Sequence, residues 1–215
     1  MSAAKKKLTH EFKYKNITIS GLPGAGSTTL LTLLKENEEL QFAGFSGFSG
    51  GEFMRIYAKE KGLFEEKSGL HHDASHYEDD FDRQVDMGMR SKLENEEGWI
   101  IESWLSGFMA QQVPGTLKVL MICSDDAVRI DRVVNRDSVS AAEAKANMKE
   151  RYNNNFSKWK RLYAREWQQW VVEPGTLMSS EPIDFWRKEL YDIVIDTYSA
   201  NQQEALQIVL DAIKK

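Results

Sequence analysis

The chain has 215 residues, 41% of them hydrophobic and 28% charged, with 14 Gly, 4 Pro and 1 Cys. That is enough to bury a core without disulfides, and it excludes stapled mini-scaffolds, low-complexity chains and helical membrane bundles. A formal net charge of −5 argues against a general nucleic-acid binder, while leaving room for a local basic patch. The lysine-bearing start runs into the polar Leu8-Thr9-His10-Glu11, and Cys123 closes an apolar run as a buried thiol, so a cytoplasmic, reducing location without membrane association is expected.

In chain order, Asn16-Ile17-Thr18-Ile19-Ser20 is a β-branched run that predicts a strand. A glycine-rich loop follows, and then the apolar pattern from Leu30 to Lys35 predicts a helix. Residues 44–51 are glycine-dense, with a short Gly-Phe-Ser echo, and lead into a helix predicted over 52–61. Residues 68–77 are polar and His-rich. Phe81, Val85, Met89 and Leu93 then recur every fourth residue, one face of a helix. Short apolar runs at 99–103, 117–123 and 191–196 predict further strands, and Ala205, Leu206, Val209, Leu210 and Ile213 mark a closing helix. Between the last two strands, 124–137 reads as helix, and 141–170 holds helix formers and aromatics with no Gly or Pro. Strands alternating with helices imply a parallel sheet covered on both faces, and no Pro- or Ser-rich linker divides the chain.

The loop reads Gly21-Leu22-Pro23-Gly24-Ala25-Gly26-Ser27-Thr28-Thr29. Set between strand and helix, this G-x-x-x-x-G-[KST]-[ST] pattern is a phosphate cradle. Glycines allow φ > 0 and close backbone approach, amides from Gly24 to Thr28 wrap the phosphates, and the helix adds its positive end. Thr28 holds the hydroxyl position that ligates Mg²⁺, whereas Ser27 stands where a lysine is usual. The competing reading is a glycine-rich turn with no ligand.

Residues 17–29 resemble the opening of the archaeal-type cytidylate kinases, nucleoside monophosphate kinases whose phosphate loop carries a hydroxyl residue in place of lysine. Further blocks resemble the family in the same order: Ser49-Gly50-Gly51-Glu52-Phe53-Met54-Arg55, Asp82-Arg83-Gln84, the segment from Val128 to Asp137, and Tyr191 to Thr197. The resemblance implies an α/β, three-layer P-loop kinase fold: a parallel five-stranded sheet with helices on both faces, in a single domain over 1–215. It also implies an inserted acceptor-binding lobe at about 42–97 and a lid at about 137–170, ATP as phosphoryl donor, Mg²⁺, and CMP or dCMP as acceptor. A monomer is expected, with no nucleic-acid partner.

By resemblance, Arg55 binds the acceptor phosphate, with Gly51, Asp82 and Arg83 also on the substrate, while Arg132 covers the adenine plane beside the loop residues. Arg136 reaches the ATP phosphates, four residues on and so on the same helix face. Arg151 and Arg161 match the lid's early arginine and later Arg-Tyr, so Arg136, Arg151 and Arg161 are the expected catalytic cations. Thr28 and Glu102, at the end of a strand, would hold the metal. Each arginine has a plainer alternative as a solvated helix charge. One departure stands out: the family's Glu-Gly-Arg-Leu, whose arginine helps hold the acceptor, is here Glu102-Ser103-Trp104-Leu105. Either another arginine covers that phosphate, or the substrate has shifted, or catalysis is impaired.

His71, His72, Asp73 and His76 match no zinc spacing. Tyr152, Phe156, Trp159, Tyr163, Trp167 and Trp170 interleave with cations as in a single-strand nucleic-acid platform, but at three- and four-residue spacing they read mainly as one packed helix face. The alternatives are a kinase for another nucleotide or small metabolite, a nucleotide-binding module without turnover, and an RNA binder built on the aromatic segment.

Overall fold

Alternating β-branched residues extend the chain over β1 (Asn16–Gly21), buried along its whole length. Ile17 and Ile19 face one side; Thr18 and Ser20 face the other and find partners there, Thr18 donating to the Leu117 carbonyl at 3.4 Å and Ser20 accepting from the Gly107 amide at 2.9 Å. The computed structural model describes residues 12–54 and 78–214. In it β1 is the centre of a five-stranded, all-parallel sheet of order β2-β3-β1-β4-β5, with β2 at Ser46–Ser49, β3 at Trp99–Glu102, β4 at Thr116–Ile122 and β5 at Ile193–Asp196.

The helices are α1 (Ser27–Glu36), α2 (Glu38–Ala43), α3 (Asp79–Asn95), α4 (Ser106–Met109), α5 (Asp126–Asp137), α6 (Ala141–Leu162), α7 (Ala164–Trp167) and α8 (Gln202–Ile213). The two-residue period of β4 divides the core. Leu117, Val119 and Met121 join Leu30, Leu34, Val209 and Ile213 of α1 and α8 on one face. Leu120 joins Phe108, Trp159, Tyr163 and Trp167 of α4, α6 and α7 on the other. The α4 backbone lies so close that a Cβ on Gly107 would come within 2.2 Å of the Tyr191 ring. Side-chain caps fix where the longer helices start: Asp125 for α5, and the capping boxes Ser140/Glu143 for α6 and Asn201/Glu204 for α8.

The four strands expected from the sequence all form, and β2 lies where the sequence reads as glycine-rich loop. Ser-Gly-Phe-Ser has little strand preference of its own; pairing of Ser46 to Ser49 with Trp99 to Glu102 makes it an edge strand. The helix expected around Phe81 to Leu93 is α3, with Met89 and Leu93 buried. The expected 141–170 helix is α6 and α7, ending in a π-turn at Gln168–Val172. Residues 50–54 are helical, as expected for the start of the 52–61 helix. The rest of that helix, with Arg55 and the His71–His76 stretch, lies outside the described residues.

Candidate active site

β1 ends at the edge of a cavity of about 1000 Å³, bordered by Gly21, Leu22, Pro23, Gly24, Gly26, Ser27, Thr28 and Thr29. Ala25 is buried behind the loop. Gly24 and Gly26 take φ of 82° and 92°. A Cβ on Gly24 would lie 2.5 Å from the Arg129 carbonyl oxygen, so both conformation and space demand glycine there. Gly26 is the N-cap of α1, with no side-chain hydrogen bond to the first-turn amides. Backbone donors at a helix N-terminus beside an open cavity fit a polyphosphate.

Ser27, in the usual lysine position, borders the cavity but is itself buried. Its hydroxyl donates to Glu102 Oε1 at 2.9 Å, while Ser49 donates to Glu102 Oε2 at 2.8 Å and accepts from the Glu52 amide at 3.2 Å. Glu102 thus ties together the loop helix, β2 and the end of β3. It offers oxygen donors at the cavity edge, as does the exposed Thr28 on the first turn of α1. Oxygen donors suit Mg²⁺, and since both Glu102 oxygens already accept hydroxyl hydrogen bonds, the carboxylate is better placed to hold the ion through its waters than directly.

Three arginines border this cavity. Arg132 is fixed against the loop, donating to the Gly24 carbonyl at 3.1 Å and to Thr197 Oγ1 and carbonyl at 2.6 and 2.8 Å. Arg136 donates to both carboxylate oxygens of Asp137 at 2.7 and 2.8 Å, a pairing that raises its pKa. Arg151 of α6 stacks on the Trp104 ring, 4.8 Å from its centroid.

Gly51, Ser103, Trp104 and Arg151 also line a second, smaller cavity of about 90 Å³, walled by Met54, Val85, Met89, Leu105 and Trp159 and carrying Asp82, Asp86 and Asn155. The two cavities therefore share a wall. Asp82 pairs with the buried Lys158 at 2.8 Å, yet burial still raises its pKa against the pull of the ammonium. Asp86 accepts a short hydrogen bond from the Tyr163 hydroxyl; burial pushes it up to about 7.

Gly51, Asp82, Arg151 and Trp104 thus meet at one site, and the loop, Arg132, Arg136 and Glu102 at its neighbour. Arg161 and Arg83 border neither cavity. Arg161 pairs with Asp79 at 2.7 Å and is largely exposed, and Arg83 pairs with the buried Glu166. The reason is local: Asp79, Asp82, Arg83 and Asp86 form a stripe on α3 that meets Lys158 and Arg161 of α6, Tyr163 just beyond it and Glu166 of α7, so these charges join α3 to α6 and α7. Sequence reading missed Asp86, which lines the smaller cavity, and the pairing of Lys158 with Asp82. The signal was there in the spacing of Asp79, Asp82 and Asp86 and of Lys158 and Arg161, but only the fold shows that the stripes face each other. The aromatic segment is mostly core: Trp159, Tyr163 and Trp167 are 9%, 0% and 3% exposed, so their faces are not open to bases. Among the described residues no group of three His, Cys, Asp or Glu side chains forms a metal cluster, and no helix is long and apolar enough to cross a membrane.

A family model described as an AAA domain matches residues 17–155. The chain is 31% identical over 198 residues to a cytidylate kinase of Methanosarcina acetivorans, covering 92% of this chain and 95% of that one. It is 32% identical to the cytidylate kinase of Methanosarcina barkeri over the same shares, and 30% identical to that of Methanopyrus kandleri, covering 92% of each chain. Among solved structures, an uncharacterized protein from Eubacterium ventriosum superposes with a TM-score of 0.58 at 16% identity, covering 93% of this chain and 98% of that one. A gluconokinase from Sinorhizobium meliloti gives 0.50 at 12%, covering 93% and 91%. At such identities the structures speak for the fold alone, and the strand order and glycine loop agree with it. Sequence relatives and loop geometry lead to the same place: the chain belongs to the AAA-domain group of P-loop proteins and, within it, to the archaeal cytidylate kinases, a family of nucleoside monophosphate kinases.

Proposed function

We propose that the protein transfers the γ-phosphoryl group of ATP to CMP or dCMP, giving ADP and the pyrimidine nucleoside diphosphate, with Mg²⁺ present. The observation that carries this reading is the shared wall: the phosphate cradle and a ring-sized pocket open onto the same four residues, Gly51, Ser103, Trp104 and Arg151. An acceptor phosphate at that wall lies next to the donor's γ-phosphate. Its oxygen attacks the γ-phosphorus as the bond to the bridging oxygen breaks, and ADP leaves.

The chain's own part is positioning and charge. Amides of Gly24 to Thr28 hold the phosphate tail, Arg132 braces the loop backbone it bonds to, and Arg136 and Arg151 offset charge on the transferred oxygens. Thr28 and, through waters, Glu102 would hold Mg²⁺, which when bound would supply further charge neutralisation. In the small pocket Asp82 and Asp86 present acceptors, which favours a ring bearing an exocyclic amine over one bearing only carbonyls, and the size suits a single ring. That supports cytosine over uracil and over purines. Trp159 of α6 and Tyr163 just beyond it pack into the core, which supports a lid limited to residues 137–154, beginning next to Arg136 and with Arg151 near its end.

A coupled assay of ADP release against a panel of monophosphates tests this. Turnover preferring CMP or dCMP is expected. Turnover confined to another acceptor removes the cytidine assignment, and Mg-ATP binding with no turnover on any acceptor removes the kinase reading in favour of a nucleotide-binding module.

A further inference from the structure

Serines gather where the strand ends meet the phosphate loop, and most have their hydrogen bonds settled. Ser27 and Ser49 donate to Glu102, Ser106 lies 2.9 Å from the Ile19 carbonyl, and Ser20 accepts from the Gly107 amide. Ser103, directly after Glu102, is different: its Oγ is buried and has no hydrogen-bond partner. A hydroxyl left unpaired in the interior costs the free protein stability, so its retention calls for a reason. The related Glu-Gly-Arg-Leu stretch of the family has glycine at this position, so the hydroxyl is an addition to that pattern.

Ser103 borders both cavities. Its backbone is pinned there, with the amide donating to the Ile19 carbonyl at 3.2 Å and the carbonyl accepting from the Ser106 amide at 3.4 Å. Gly50 packs against it so closely that a Cβ at 50 would lie 3.0 Å from Ser103 Cβ. What remains free is χ1, and a turn from one staggered position to another re-aims the hydroxyl without moving the chain. The carboxyl groups of the smaller cavity have partners of their own, Lys158 for Asp82 and Tyr163 for Asp86. The serine is thus a donor without an acceptor, set at the junction where an acceptor phosphate would meet the donor's γ-phosphate, while the loop amides serve the donor's own phosphates.

We infer that Ser103 is a substrate-binding residue whose hydroxyl, unpaired in the free protein, donates a hydrogen bond to a phosphate oxygen of the acceptor nucleotide. The inference rests on the kinase reading above and deepens it. It makes a neutral donor at the end of β3 part of acceptor recognition, in the stretch where Trp104 brings no charge. It also explains the unpaired hydroxyl: stability is given up in the empty protein for a bond that forms only with substrate present.

The test uses the full chain, Ser103→Ala and the wild type, with CMP and cytidine as probes. Calorimetry measures both ligands, coupled ADP release gives KM for CMP and for ATP separately, and a thermal melt without ligand reports stability. Ser103→Ala is expected to weaken CMP roughly tenfold while cytidine, which lacks the phosphate, binds as before and KM for ATP changes less than twofold. The unliganded variant should melt at or above the wild-type temperature, because an unpaired polar group has been removed. A merely structural serine would give the opposite pair of results, a lower melting temperature with equal losses for CMP and cytidine, and that outcome overturns the inference. CMP affinity within twofold of wild type overturns it as well. If the wild type turns over CMP and Ser103→Ala is unaffected, the contact fails and the kinase reading survives. If CMP binds and is weakened by Ser103→Ala but no monophosphate is turned over, the kinase reading fails and the contact survives. A wild type that does not bind CMP overturns both.

Discussion

Lys158 Nζ lies 2.8 Å from Asp82 Oδ2, with both side chains almost wholly buried where α6 crosses α3. Burying two opposite charges contributes little net stability, but removing one of them leaves the other uncompensated in a poorly solvated place.

Lys158→Met should therefore destabilise the protein by about 3–5 kcal/mol, and Asp82→Asn combined with Lys158→Met should recover much of that loss. Urea unfolding of the two variants and the wild type measures both. If the single and double variants are equally destabilised, the pair is not coupled as the geometry implies.

Asp86 sets a pH dependence. Burial raises its folded pKa to about 7, above the unfolded value near 3.8. The folded state then holds a proton that the unfolded state has released. The stability associated with this group is complete below about pH 4 and is lost as pH rises through about 7. Asp86→Asn keeps an acceptor for the Tyr163 hydroxyl and removes the titration. Unfolding at pH 5 and pH 8 should show the wild type losing stability relative to the variant by a few kcal/mol at most as pH rises. A constant difference would contradict the assignment.

The glycines of the loop differ in what surrounds them. Gly24→Ala meets both a positive φ and the Arg129 carbonyl, and should abolish detectable Mg-ATP binding while lowering the melting temperature. At Gly26 the nearest atom to an added Cβ is a Thr197 methyl at 3.5 Å. Gly26→Ala therefore carries only left-handed strain, on the order of 1 kcal/mol, and should retain more of its stability than Gly24→Ala. Calorimetric ATP titration and a thermal melt separate the two.

Arg136 borders the larger cavity, proposed for the donor, and not the smaller one. Arg136→Ala should slow turnover by roughly a hundredfold while leaving CMP affinity nearly unchanged, as expected for a cation acting on the transferred phosphoryl group. Steady-state kinetics with varied CMP and ATP checks the split, and equal loss in kcat and CMP affinity would contradict the role.

The sequence alone determined the parts governed by local chemistry. A β-branched run, a loop with glycines where φ must be positive, and a helix starting at Ser27 are short-range properties, so the phosphate cradle was legible from residues 16–35, as were four of five strands and the α3 and α8 faces. Only the tertiary structure decided which charges meet. Arg161 and Arg83 read as site residues because a cation at a plausible position looks alike whether it faces a ligand or a neighbouring helix; the packing of α3 against α6 and α7 turned them to Asp79 and Glu166. The same packing gave Asp82 and Lys158 to each other although they stand 76 positions apart in the chain, while sheet order laid Ser-Gly-Phe-Ser beside β3 and brought Arg151 onto Trp104. Coulomb attraction and stacking depend on distance in space, and that distance is fixed by the order of strands, which no local pattern encodes.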